Sequence, residues 1–464
     1  MDPALLHRTA DIATAYLASL PERPVRADAS LHELRAALGG PLGDEPLPAL
    51  QVIEELAAAA DPGIVGTQSP RYFGFVIGGA VDAAIAADWL TSTWDQNGAG
   101  YPGGPSASVA EEVACEWVLD LLGLPAGAGV GLTTGCQMAH FTCLAAARHR
   151  LLADVGWDVE AMGLFGAPPI RVVVGAKAHT TVFAALRMLG LGSQRVELVP
   201  ADDQGRIRVS ELSRVLAAGV GPAIVMAQVG EVNTGAIDAM PEVVRLTREH
   251  RAWCHVDGAF GLWAAASPAL RELTDGVADA DSWATDAHKL LNVPYDSGIA
   301  VVRDREAHAA AMNSFAGAEY IPLPEHDERF QAEWVPEFSR RARGFAMYAA
   351  LRQLGRSGVA ELVERCCRCA RLMAAELARD PRVTVLNEVV FNQVLVRFAP
   401  DGANVTEEVM DAVQREGTCW MSGTEWDGQP AMRISVSNWR TTEDDIRRSA
   451  RAILAELDAF VTSR

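Results

Sequence analysis

The side chains best suited to chemistry in this sequence lie just beyond four apolar runs of strand-like composition. Residues 133–137 follow "VGL", His179 follows "RVVVGAKA", Asp257 follows "AWCHV", and the pair His288 and Lys289 comes shortly after "SWAT". In a doubly wound sheet, ligands bind beyond the carboxyl ends of the strands, so we expect these side chains to meet at one edge. Together they would supply a phosphate-binding turn, a flat imidazole, a carboxylate and an amine.

The turn Thr134-Gly135-Cys136 has the composition of a phosphate-binding turn. Small and polar residues between a strand and a helix leave backbone N–H groups free at the helix N-terminus, where an anion binds well. The same residues also suit an ordinary helix cap in a tight turn. His179, the last residue before a predicted helix, could lay its ring on a flat cofactor, although a cap or a buried histidine would look the same.

Asp257 ends a hydrophobic run and precedes Gly258 and Ala259, small residues that would let a flat ring lie against the backbone. A buried carboxylate must be paired or hydrogen-bonded, and the protonated nitrogen of a pyridine ring would meet that need. An arginine would meet it equally well. Asp257 is therefore a candidate partner of a cofactor ring, with a structural ion pair as the alternative.

Lys289 follows Asp257 by 32 positions, about one strand-crossover-strand step of a parallel sheet. A lysine removed from water loses proton affinity and can attack a carbonyl as a free amine, forming a Schiff base. The alternative is a surface lysine whose stem lies on apolar groups, which the following Leu290 and Leu291 disfavour. Taken in this order, the turn, the imidazole, the carboxylate and the amine predict pyridoxal phosphate (PLP) bound through Lys289.

Three stretches of different pattern would position these groups. Residues 1–80 contain amphipathic helical runs, and we expect a helical arm that packs on another surface and dimerises the chain. Residues 81–344 alternate β-rich apolar runs with helical patterns, which predicts a large α/β domain with a mostly parallel sheet covered on both faces. Residues 345–464 predict a smaller α+β domain whose last helix opens with a cap and acidic residues, "TTEDDIRR".

Charge and composition limit the partners of the protein. The chain has 464 residues, 49% hydrophobic and 22% charged, as expected for a globular protein with a large buried interior. Its net charge of -20 and pI near 4.9 disfavour a nucleic-acid backbone or an anionic membrane as a partner, because the long-range field would repel both. We therefore expect a small-molecule substrate, no nucleic acid and no membrane.

Cysteine usage and the distribution of apolar residues favour a reducing, aqueous compartment. The eight cysteines lack zinc-ligand spacings, and Cys366, Cys367 and Cys369 crowd one predicted helix where disulfides would be awkward. The N-terminus carries Asp2 and Asp11 and lacks the apolar core of a signal peptide, and no apolar run approaches the roughly 18 residues of a membrane span. We expect reduced thiols, no metal and a cytoplasmic location.

Several motifs occur together along the chain: "SPRYFGF", "NTGAID", "HVDGAFG", "DSWATDAHKLL" with its following "DSG", and "PEFSRRARG". This set resembles the group II PLP-dependent amino acid decarboxylases, which include aromatic-amino-acid, glutamate and diaminobutyrate decarboxylases. The resemblance extends from about Ser69 to the C-terminus, and the spacing of "DAHK" after "HVDGAFG" is its most specific part. It implies the aspartate-aminotransferase fold (fold type I) and a homodimer with active sites at the subunit interface.

The resemblance also implies roles for individual residues. Lys289 would hold PLP as a Schiff base, Asp257 would pair with the ring nitrogen and His179 would stack on the ring, which makes these three the expected catalytic residues. Phe75 and Asn97 would lie near the substrate, an L-amino acid that is decarboxylated to its amine. The expected cofactor-binding set is Thr134, Gly135, Cys136, His179, Asn233, Asp257, Ala259, Thr285, His288 and Lys289.

Two departures from the family pattern affect individual contacts. Residues 136–138, "CQM", follow Gly135 where the family usually has a second small residue and an acidic one, so backbone amides would have to hold the phosphate. Residues 230–233, "GEVN", stand where many members have a threonine-rich "GTT". A hydrogen bond near the ring would then be lost or supplied by Asn233.

A third departure concerns the loop before "SRR", where many family decarboxylases carry a tyrosine that protonates the substrate carbon after carbon dioxide leaves. Counting back from Pro336 places Phe330 at about this position, and phenylalanine there accompanies aldehyde synthesis in some plant relatives. Tyr320, ten residues upstream, could take the role if the loop folds differently. Decarboxylation to an amine is the main prediction, and decarboxylation coupled to oxidative deamination, giving an aldehyde, is the alternative.

Other enzymes of the same fold, aminotransferases and β-eliminating lyases, would use the same lysine and aspartate. Arg433 in "AMRISVS" could be the carboxylate clamp of a transaminase, or a strand arginine that faces solvent or an acid. A scaffold that binds PLP without turnover is disfavoured because His179, Asp257 and Lys289 occur together. Four tryptophans expected near the pocket hint at an aromatic or apolar substrate: Trp94, Trp283, Trp420 and Trp426.

Overall fold

The computed structural model describes residues 2–313 and 328–463. The strands are β1 (Tyr72–Phe73), β2 (Gly129–Thr133), β3 (Arg171–Gly175), β4 (Glu197–Val199), β5 (Ala223–Gln228), β6 (Trp253–Asp257), β7 (Ser282–Asp286), β8 (Gly298–Val302), β9 (Val383–Val385), β10 (Gln393–Phe398), β11 (Trp420–Trp426) and β12 (Gln429–Ser435). The α-helices are α1 (Pro3–Ser19), α2 (Leu31–Leu38), α3 (Ala49–Ala60), α4 (Asp82–Trp94), α5 (Pro105–Leu122), α6 (Cys136–Ala153), α7 (Val159–Met162), α8 (Thr180–Met188), α9 (Val209–Ala218), α10 (Met240–Glu249), α11 (Arg305–Met312), α12 (Gly344–Leu377), α13 (Thr406–Glu416) and α14 (Glu443–Thr462). Within the described ranges, none of these helices has both the length and the apolar composition needed to cross a bilayer.

A seven-stranded sheet forms the centre of the large domain, in the order β2-β8-β7-β6-β5-β3-β4. The strands from β7 to β4 run parallel, and β8 is antiparallel to both β7 and β2. Every residue of β2, β5, β6, β7 and β8 is buried, because both faces of the sheet are covered. The predicted α/β class with a mostly parallel sheet is thereby confirmed.

Alternation along each strand divides the core between the two faces of this sheet. Val172 and Val174 pack in one apolar cluster with α6 and α8, whereas Val173 packs in a second cluster with α5, α10 and α12. The neighbouring strand β5 is divided in the same way between Ile224 and Val225. If a strand slipped by one residue along its neighbour, its side chains would move to the opposite faces of the sheet. Burial on both faces therefore fixes the register of strand pairing.

The smaller C-terminal domain contains a five-stranded sheet in the order β1-β11-β12-β10-β9, with α13 and α14 packed nearby. Its edge strand β1 comes from the N-terminal part of the chain and pairs in parallel with β11, with Tyr72 opposite Trp420. Residues 1–80 are predicted to be helical, whereas Tyr72 and Phe73 form a strand. A strand of two residues is too short to leave a detectable periodicity in the sequence. The last helix, α14, begins with the expected capping box of Thr442 and Asp445.

The long helix α12 connects the two domains. It begins at Gly344, the position proposed as the end of the large domain, and spans 34 residues with a non-helical break at Gly355. It contacts α4 and α5 of the large domain and α14 of the small one. One apolar cluster consequently runs from the central sheet, through α12, into α14.

The N-terminal helices expose apolar side chains. α1 contacts α3, and Arg8 Nε lies 2.8 Å from Glu54 Oε1 between them. Neither helix contains a buried residue, and Leu6 and Leu56 are 46% and 53% exposed. Apolar side chains gathered on an exposed face are typical of a surface that a partner covers.

A buried ion pair fixes the segment that precedes α12. The guanidinium of Arg340 donates to both carboxylate oxygens of Glu111 in α5, at 3.0 and 2.9 Å, and the two side chains are 1% and 2% exposed. The same group donates to the carbonyl oxygens of Gly98 and Leu132. Arg340, part of the "PEFSRRARG" motif, therefore joins three separate segments around β2.

Replacing Glu111 with glutamine should destabilise the protein by about 3–5 kcal/mol, because the Arg340 charge would remain buried without a counter-ion. The neighbouring exposed pair Arg341–Asp88 offers a matched control, for which D88N should change the free energy of unfolding by about 0–1 kcal/mol. Denaturant unfolding measures both values. Small and equal effects of the two substitutions would contradict the role given to Glu111.

Candidate active site

The ends of β6 and β7 and the start of α6 meet at one edge of the central sheet. Asp257 is the last residue of β6, Lys289 lies in the turn after β7, and Gly135 is the N-cap of α6. Lys289 and Asp257 each affect the pKa of the other by charge, so the amine and the carboxylate lie within electrostatic reach. The strand ends that were expected to share a ligand therefore do come together.

The backbone of the Lys289 turn is held by Asn292, which bridges distant segments. Its Nδ2 donates to the carbonyl oxygens of Lys289 at 3.1 Å and Ser437 at 2.9 Å. Its Oδ1 accepts the backbone N–H groups of Gly79 at 2.7 Å and Trp439 at 2.9 Å. Asn292 is fully buried with a φ of 53°, a left-handed conformation that asparagine adopts more readily than most residues. The turn thus depends on one side chain that contacts both domains.

The amine of Lys289 is paired with a carboxylate to which the sequence analysis gave no role. Nζ lies 2.8 Å from Asp286 Oδ2, and the Asp286 side chain is 2% exposed. Burial by itself lowers the pKa of Lys289, but Asp286, through its charge and its hydrogen bond, acts together with Cys136 and Asp257 to outweigh burial, and the pKa is raised. The expectation that desolvation turns this lysine into a free amine is therefore wrong, since the nearby carboxylate stabilises the ammonium.

His288 is fixed in one tautomer beside the same carboxylate. Its Nδ1 accepts the backbone N–H of Ser297 at 3.0 Å, so the proton of the neutral ring lies on Nε2, 3.5 Å from Asp286 Oδ1. Burial lowers the pKa of His288, an effect that Asp286 partly opposes. Tyr295 stacks on the imidazole with ring centroids 4.3 Å apart. The ring therefore presents an N–H donor next to the start of α6.

The start of α6 forms a cradle of backbone groups. Among the described residues no side chain caps this helix, so its first N–H groups are available at the helix N-terminus. A Cβ atom at Gly135 would lie 3.3 Å from the His288 ring, and one at Gly298 would lie 2.4 Å from the Cα of Gly135. Thr134 is half-buried beside the turn, and burial raises the pKa of the Cys136 thiol well above its usual value. The turn has the form of an anion-binding site.

Asp257 keeps its charge although it is only 7% exposed. Burial by itself raises its pKa, but His140, and then His179 and Lys289, together lower the pKa below its ordinary value. One carboxylate oxygen accepts the backbone N–H of Ala259 at 3.1 Å, and the other lies 3.5 Å from His140 Nε2. Within residues 2–313 and 328–463, no arginine forms an ion pair with Asp257, so the structural Asp–Arg pair considered above does not occur there.

His179, Ala259 and Thr285 come from neighbouring turns of the same edge. His179 caps α8 by accepting the Thr181 N–H at 3.4 Å, so it is a helix cap that also lies within electrostatic reach of Asp257. Burial lowers the pKa of His179, which favours a neutral ring. The hydroxyl of Thr285 donates to the carbonyl oxygen of Ala259 at 3.5 Å, a long hydrogen bond.

Asn233 and Arg433 lie where the two domains face each other. The Nδ2 of Asn233 donates to Glu231 at 2.9 Å, and its Oδ1 accepts from Thr424 at 2.9 Å and from Arg433 at 3.4 Å. Arg433 is 8% exposed, and its Nε has no hydrogen-bond partner among the described residues. The solvent-facing alternative for Arg433 is therefore wrong, whereas a role for Asn233 beside a cofactor ring stays a prediction.

Phe75 and Asn97, expected near a substrate, occupy different surroundings. Phe75 is 55% exposed with a φ of 51°, and its ring lies 5.6 Å from that of Trp420. The Oδ1 of Asn97 accepts the backbone N–H of Arg340 at 3.1 Å, so its amide helps to hold the segment before α12. Contact of either residue with a substrate stays a prediction.

Phe330 and Tyr320 are the two loop residues considered for proton transfer. Phe330 is 7% exposed and packs with Ala99 and Ala332, and a Cβ at Gly100 would lie 2.3 Å from its ring. Its ring is thus part of a small apolar cluster within this chain. Tyr320 lies outside the described residues.

Of the tryptophans expected near the pocket, two are core side chains. Trp283 is fully buried and donates from Nε1 to the carbonyl oxygen of Val277 at 2.8 Å, and Trp426 is 3% exposed. Trp94 is 49% exposed, and Trp420 stacks on Tyr72 with ring centroids 5.3 Å apart. Of the four tryptophans, only Trp94 and Trp420 have surroundings compatible with contact to an aromatic substrate.

Three important residues were missed by the sequence analysis, each for a different reason. Asp286 stands three positions before Lys289, and its position in "DAHK" could have identified it as a charge partner. Asn292 stands three positions after the lysine and looks like an ordinary turn residue. His140 is one turn beyond Cys136 on α6, and nothing in the sequence links it to Asp257.

These residues fit PLP. A Cβ would fill the space that Gly135 leaves beside His288, and Asp286 Oδ1 is a buried oxygen without a hydrogen-bond partner in the described part of the chain. The N-terminus of α6 suits a phosphate ester, and a buried, ionised Asp257 suits a pyridinium nitrogen. Fold and site together define a PLP-dependent enzyme of fold type I.

Comparison with known families agrees with this class. The model of the pyridoxal-dependent decarboxylase conserved domain matches residues 32–399. The chain belongs to the pyridoxal-dependent decarboxylase family, whose members are PLP-dependent carboxy-lyases. The resemblance drawn from the motifs is thereby confirmed, as is PLP as the cofactor.

Individual relatives match along nearly the whole chain at low identity. Tyrosine decarboxylase 2 of Narcissus pseudonarcissus is 23% identical over 96% of this chain and 91% of its own length. Phenylacetaldehyde synthase of Arabidopsis thaliana is 23% identical over 97% of this chain and 94% of its own. The crystal structure of Oryza sativa TDC with PLP and tryptamine matches with a TM-score of 0.89 at 23% identity, over 99% of both chains, and confirms the fold.

Replacing Asp286 with asparagine should lower the pKa of Lys289, because the charge that stabilises the ammonium disappears while burial remains. A larger fraction of the amine is then neutral at about pH 8, and PLP should attach to the protein about tenfold faster or more. The visible absorbance that develops after PLP is added to the cofactor-free protein measures this rate.

Asp296, a more exposed carboxylate paired with Arg343 at 2.6 Å, provides the control for this substitution. The D296N variant should attach PLP at the wild-type rate. An attachment rate of D286N at or below that of the wild type would show that Asp286 does not hold the amine in its charged form.

Proposed function

We propose that the protein decarboxylates an L-amino acid to the corresponding amine, and that Lys289 is the residue that carries PLP. Asp257 pairs with the ring nitrogen, while His179 and Ala259 cover the two faces of the ring. The observation that carries the proposal is the presence of a partly buried amine and a buried, ionised carboxylate within electrostatic reach at one sheet edge. Membership of a decarboxylase family supports the reaction type.

When bound, PLP supplies a conjugated ring that accepts the electron pair left on the substrate α-carbon as carbon dioxide leaves. Asp257 serves this chemistry by remaining ionised, since a negative charge stabilises a proton on the ring nitrogen. The neutral ring of His179 covers the cofactor without adding a competing positive charge. The N–H groups at the start of α6, with the Nε2–H of His288, hold the phosphate.

Asp286 gives Lys289 a defined position when the lysine is not joined to the cofactor. The ammonium lies 2.8 Å from this carboxylate, which would hold the lysine protonated when it is not joined to the cofactor. Asn292 holds the turn, so the amine would keep a fixed position beside Asp286. Positioning of this kind is worth several orders of magnitude in rate when reacting groups are already aligned.

Chemical trapping tests the role of Lys289 directly, because the chain contains only two lysines, Lys177 and Lys289. Borohydride reduction of the PLP-loaded protein, followed by peptide mapping, should place the pyridoxyl group on Lys289. K289R should lose both the label and the release of carbon dioxide from amino acids. K177R is the control and should keep both, and a label on Lys177 or turnover by K289R would refute the proposal.

Aldehyde formation is the second candidate, favoured by the match to a phenylacetaldehyde synthase. That reaction consumes dioxygen and water with the amino acid, and releases aldehyde, carbon dioxide, ammonia and hydrogen peroxide. Simple decarboxylation releases only amine and carbon dioxide.

We expect amine in a one-to-one ratio with carbon dioxide and no uptake of oxygen. Product analysis with an oxygen electrode and a peroxide assay decides between the two reactions. Stoichiometric peroxide together with aldehyde would replace decarboxylation by the second candidate. Transfer of the amino group to an added keto acid would instead indicate an aminotransferase, for which Arg433 would be the carboxylate clamp.

For the substrate, we propose an aromatic L-amino acid. The relatives named above include a tyrosine decarboxylase, and a related crystal structure contains tryptamine. The stacked rings of Tyr72 and Trp420, with the exposed Phe75 beside them, offer an aromatic surface. Release of carbon dioxide from a panel of the common amino acids would identify the preferred substrate.

We further propose a cytoplasmic homodimer with active sites at the subunit interface. The exposed apolar residues of α1 and α3 support an arm that packs on a second copy. All eight cysteines are free and buried, which supports a reducing compartment. The negative net charge supports small molecules, and neither nucleic acid nor membrane, as partners.

A further inference from the structure

A series of buried polar side chains runs from Asp257 into the core. Trp253, His255 and Asp257 alternate along β6 and therefore face the same side of the sheet. His140 of α6 lies over this face, with Nδ1 2.9 Å from His255 Nε2 and Nε2 3.5 Å from Asp257 Oδ2. Ser282 Oγ in β7 is 2.8 Å from His255 Nδ1 and accepts from Trp253 Nε1, also at 2.8 Å. We call these five residues the relay, and each is at most 7% exposed.

We assign the direction of the hydrogen bonds in the relay from its far end. An indole N–H can only donate, so Ser282 accepts from Trp253 and can direct its own hydrogen to His255 Nδ1. His255 then carries its proton on Nε2 and donates it to His140 Nδ1. His140 then carries its proton on Nε2, the atom that lies 3.5 Å from Asp257 Oδ2 and 3.5 Å from Cys136 Sγ. In this arrangement each donor in the relay points towards the carboxylate.

Burial supports a neutral His255 in the relay. It lowers the pKa of His255 well below the ordinary value for histidine, and the neighbouring His140 lowers it further. Two charged imidazoles 2.9 Å apart in an apolar core would also repel each other strongly. The aligned N–H groups present the positive end of each dipole to Asp257.

We propose that the relay is a positioning device for the cofactor, in which His140, oriented by His255, Ser282 and Trp253, holds Asp257 ionised and directed at the ring nitrogen of PLP. A carboxylate buried this deeply would otherwise take up a proton, because burial disfavours the charged form. The inference rests on the proposed function, in which Asp257 pairs with the ring nitrogen. It adds His140 as a residue that acts on the cofactor through Asp257.

A metal site is the competing use of the same atoms. Cys136 Sγ, a nitrogen of His140 and an oxygen of Asp257 all lie within 4.8 Å of one another, a spacing that an ion could use. A histidine binds a metal through an unprotonated nitrogen, whereas the relay places the proton on the nitrogen that faces Asp257. The relay and a metal site therefore exclude each other. A chelator in the binding buffer removes metal ions, so that the binding measurements report on the relay alone.

The test compares PLP with an analogue that has carbon in place of the ring nitrogen. Equilibrium dialysis of each compound against the cofactor-free protein gives the ratio of the two dissociation constants, without any measurement of turnover. The wild type should bind PLP more tightly than the analogue. H140L should reduce this preference about tenfold, because Asp257 loses its 3.5 Å contact with His140 Nε2, which favours the charged carboxylate.

Two further variants separate the relay from simple packing. H140Q should keep most of the preference, because its amide can accept from His255 and donate to Asp257. W253F removes the donor that sets the direction of the relay, and it should reduce the preference by about two- to threefold. H308L is the packing control, since His308 is also fully buried and its Nε2 lies 2.9 Å from the Trp334 carbonyl oxygen. This control should lose stability and keep the wild-type preference.

The outcomes distinguish the relay from the proposed function. If the wild type binds both compounds equally, the pairing of Asp257 with the ring nitrogen is wrong, and the relay proposal falls with it. If the wild type prefers PLP but H140L and W253F keep the same preference, the relay alone is overturned. Should H140L fail to fold, the binding ratio of W253F is decisive, and an unchanged preference in that variant overturns the relay.

Discussion

The ion pair between Lys289 and Asp286 is the interaction on which the site depends. The Asp286 side chain is 2% exposed and that of Lys289 is 20% exposed, and both lie beside a second carboxylate, Asp257. Buried charges persist only when neighbouring groups compensate them. Here the compensation comes from the ammonium, from the start of α6 and from the N–H groups of His140 and His288. The arrangement explains how Asp257 stays ionised in an apolar interior.

The same site depends on segments that lie far apart in the sequence. Asn292 joins the Lys289 turn to Gly79 before α4 and to Ser437 and Trp439 after β12. Gly78 packs so closely that a Cβ there would lie 2.0 Å from the Lys289 carbonyl oxygen. The small domain and the N-terminal segment therefore both help to hold the backbone of Lys289 in place. A change in the placement of either segment would move the amine.

The sequence predicts the sheet and the edge at which the strand ends converge, because both leave local patterns. Fully buried parallel strands appear as continuous apolar runs, and polar residues directly after them mark the carboxyl edge, as Asp257 and His179 do. Contacts between distant segments leave no such pattern. The pairing of Tyr72 with Trp420 is an example, and the approach of His140 to Asp257 depends on how α6 crosses β6.

The raised pKa of Lys289 also depends on a contact that the sequence pattern does not reveal. Its burial can be inferred from the leucines that follow it, and burial alone lowers the pKa of a lysine. The opposite result comes from Asp286, 2.8 Å away, acting together with Cys136 and Asp257, and the geometry of the turn decides whether Asp286 reaches the amine. The two tryptophans that proved to be core residues, Trp283 and Trp426, were misplaced because large aromatic side chains suit a core and a pocket equally well.

A direct titration of Lys289 tests the central claim. Because the chain has only two lysines, a protein labelled with carbon-13 at the lysine ε-position should give two resonances, which K177R assigns. In the cofactor-free protein, the Lys289 resonance should keep its charged-form position at a higher pH than that of Lys177, since Asp286 stabilises the ammonium. A Lys289 resonance that titrates at a lower pH than an ordinary lysine would contradict the ion pair as the basis of the site.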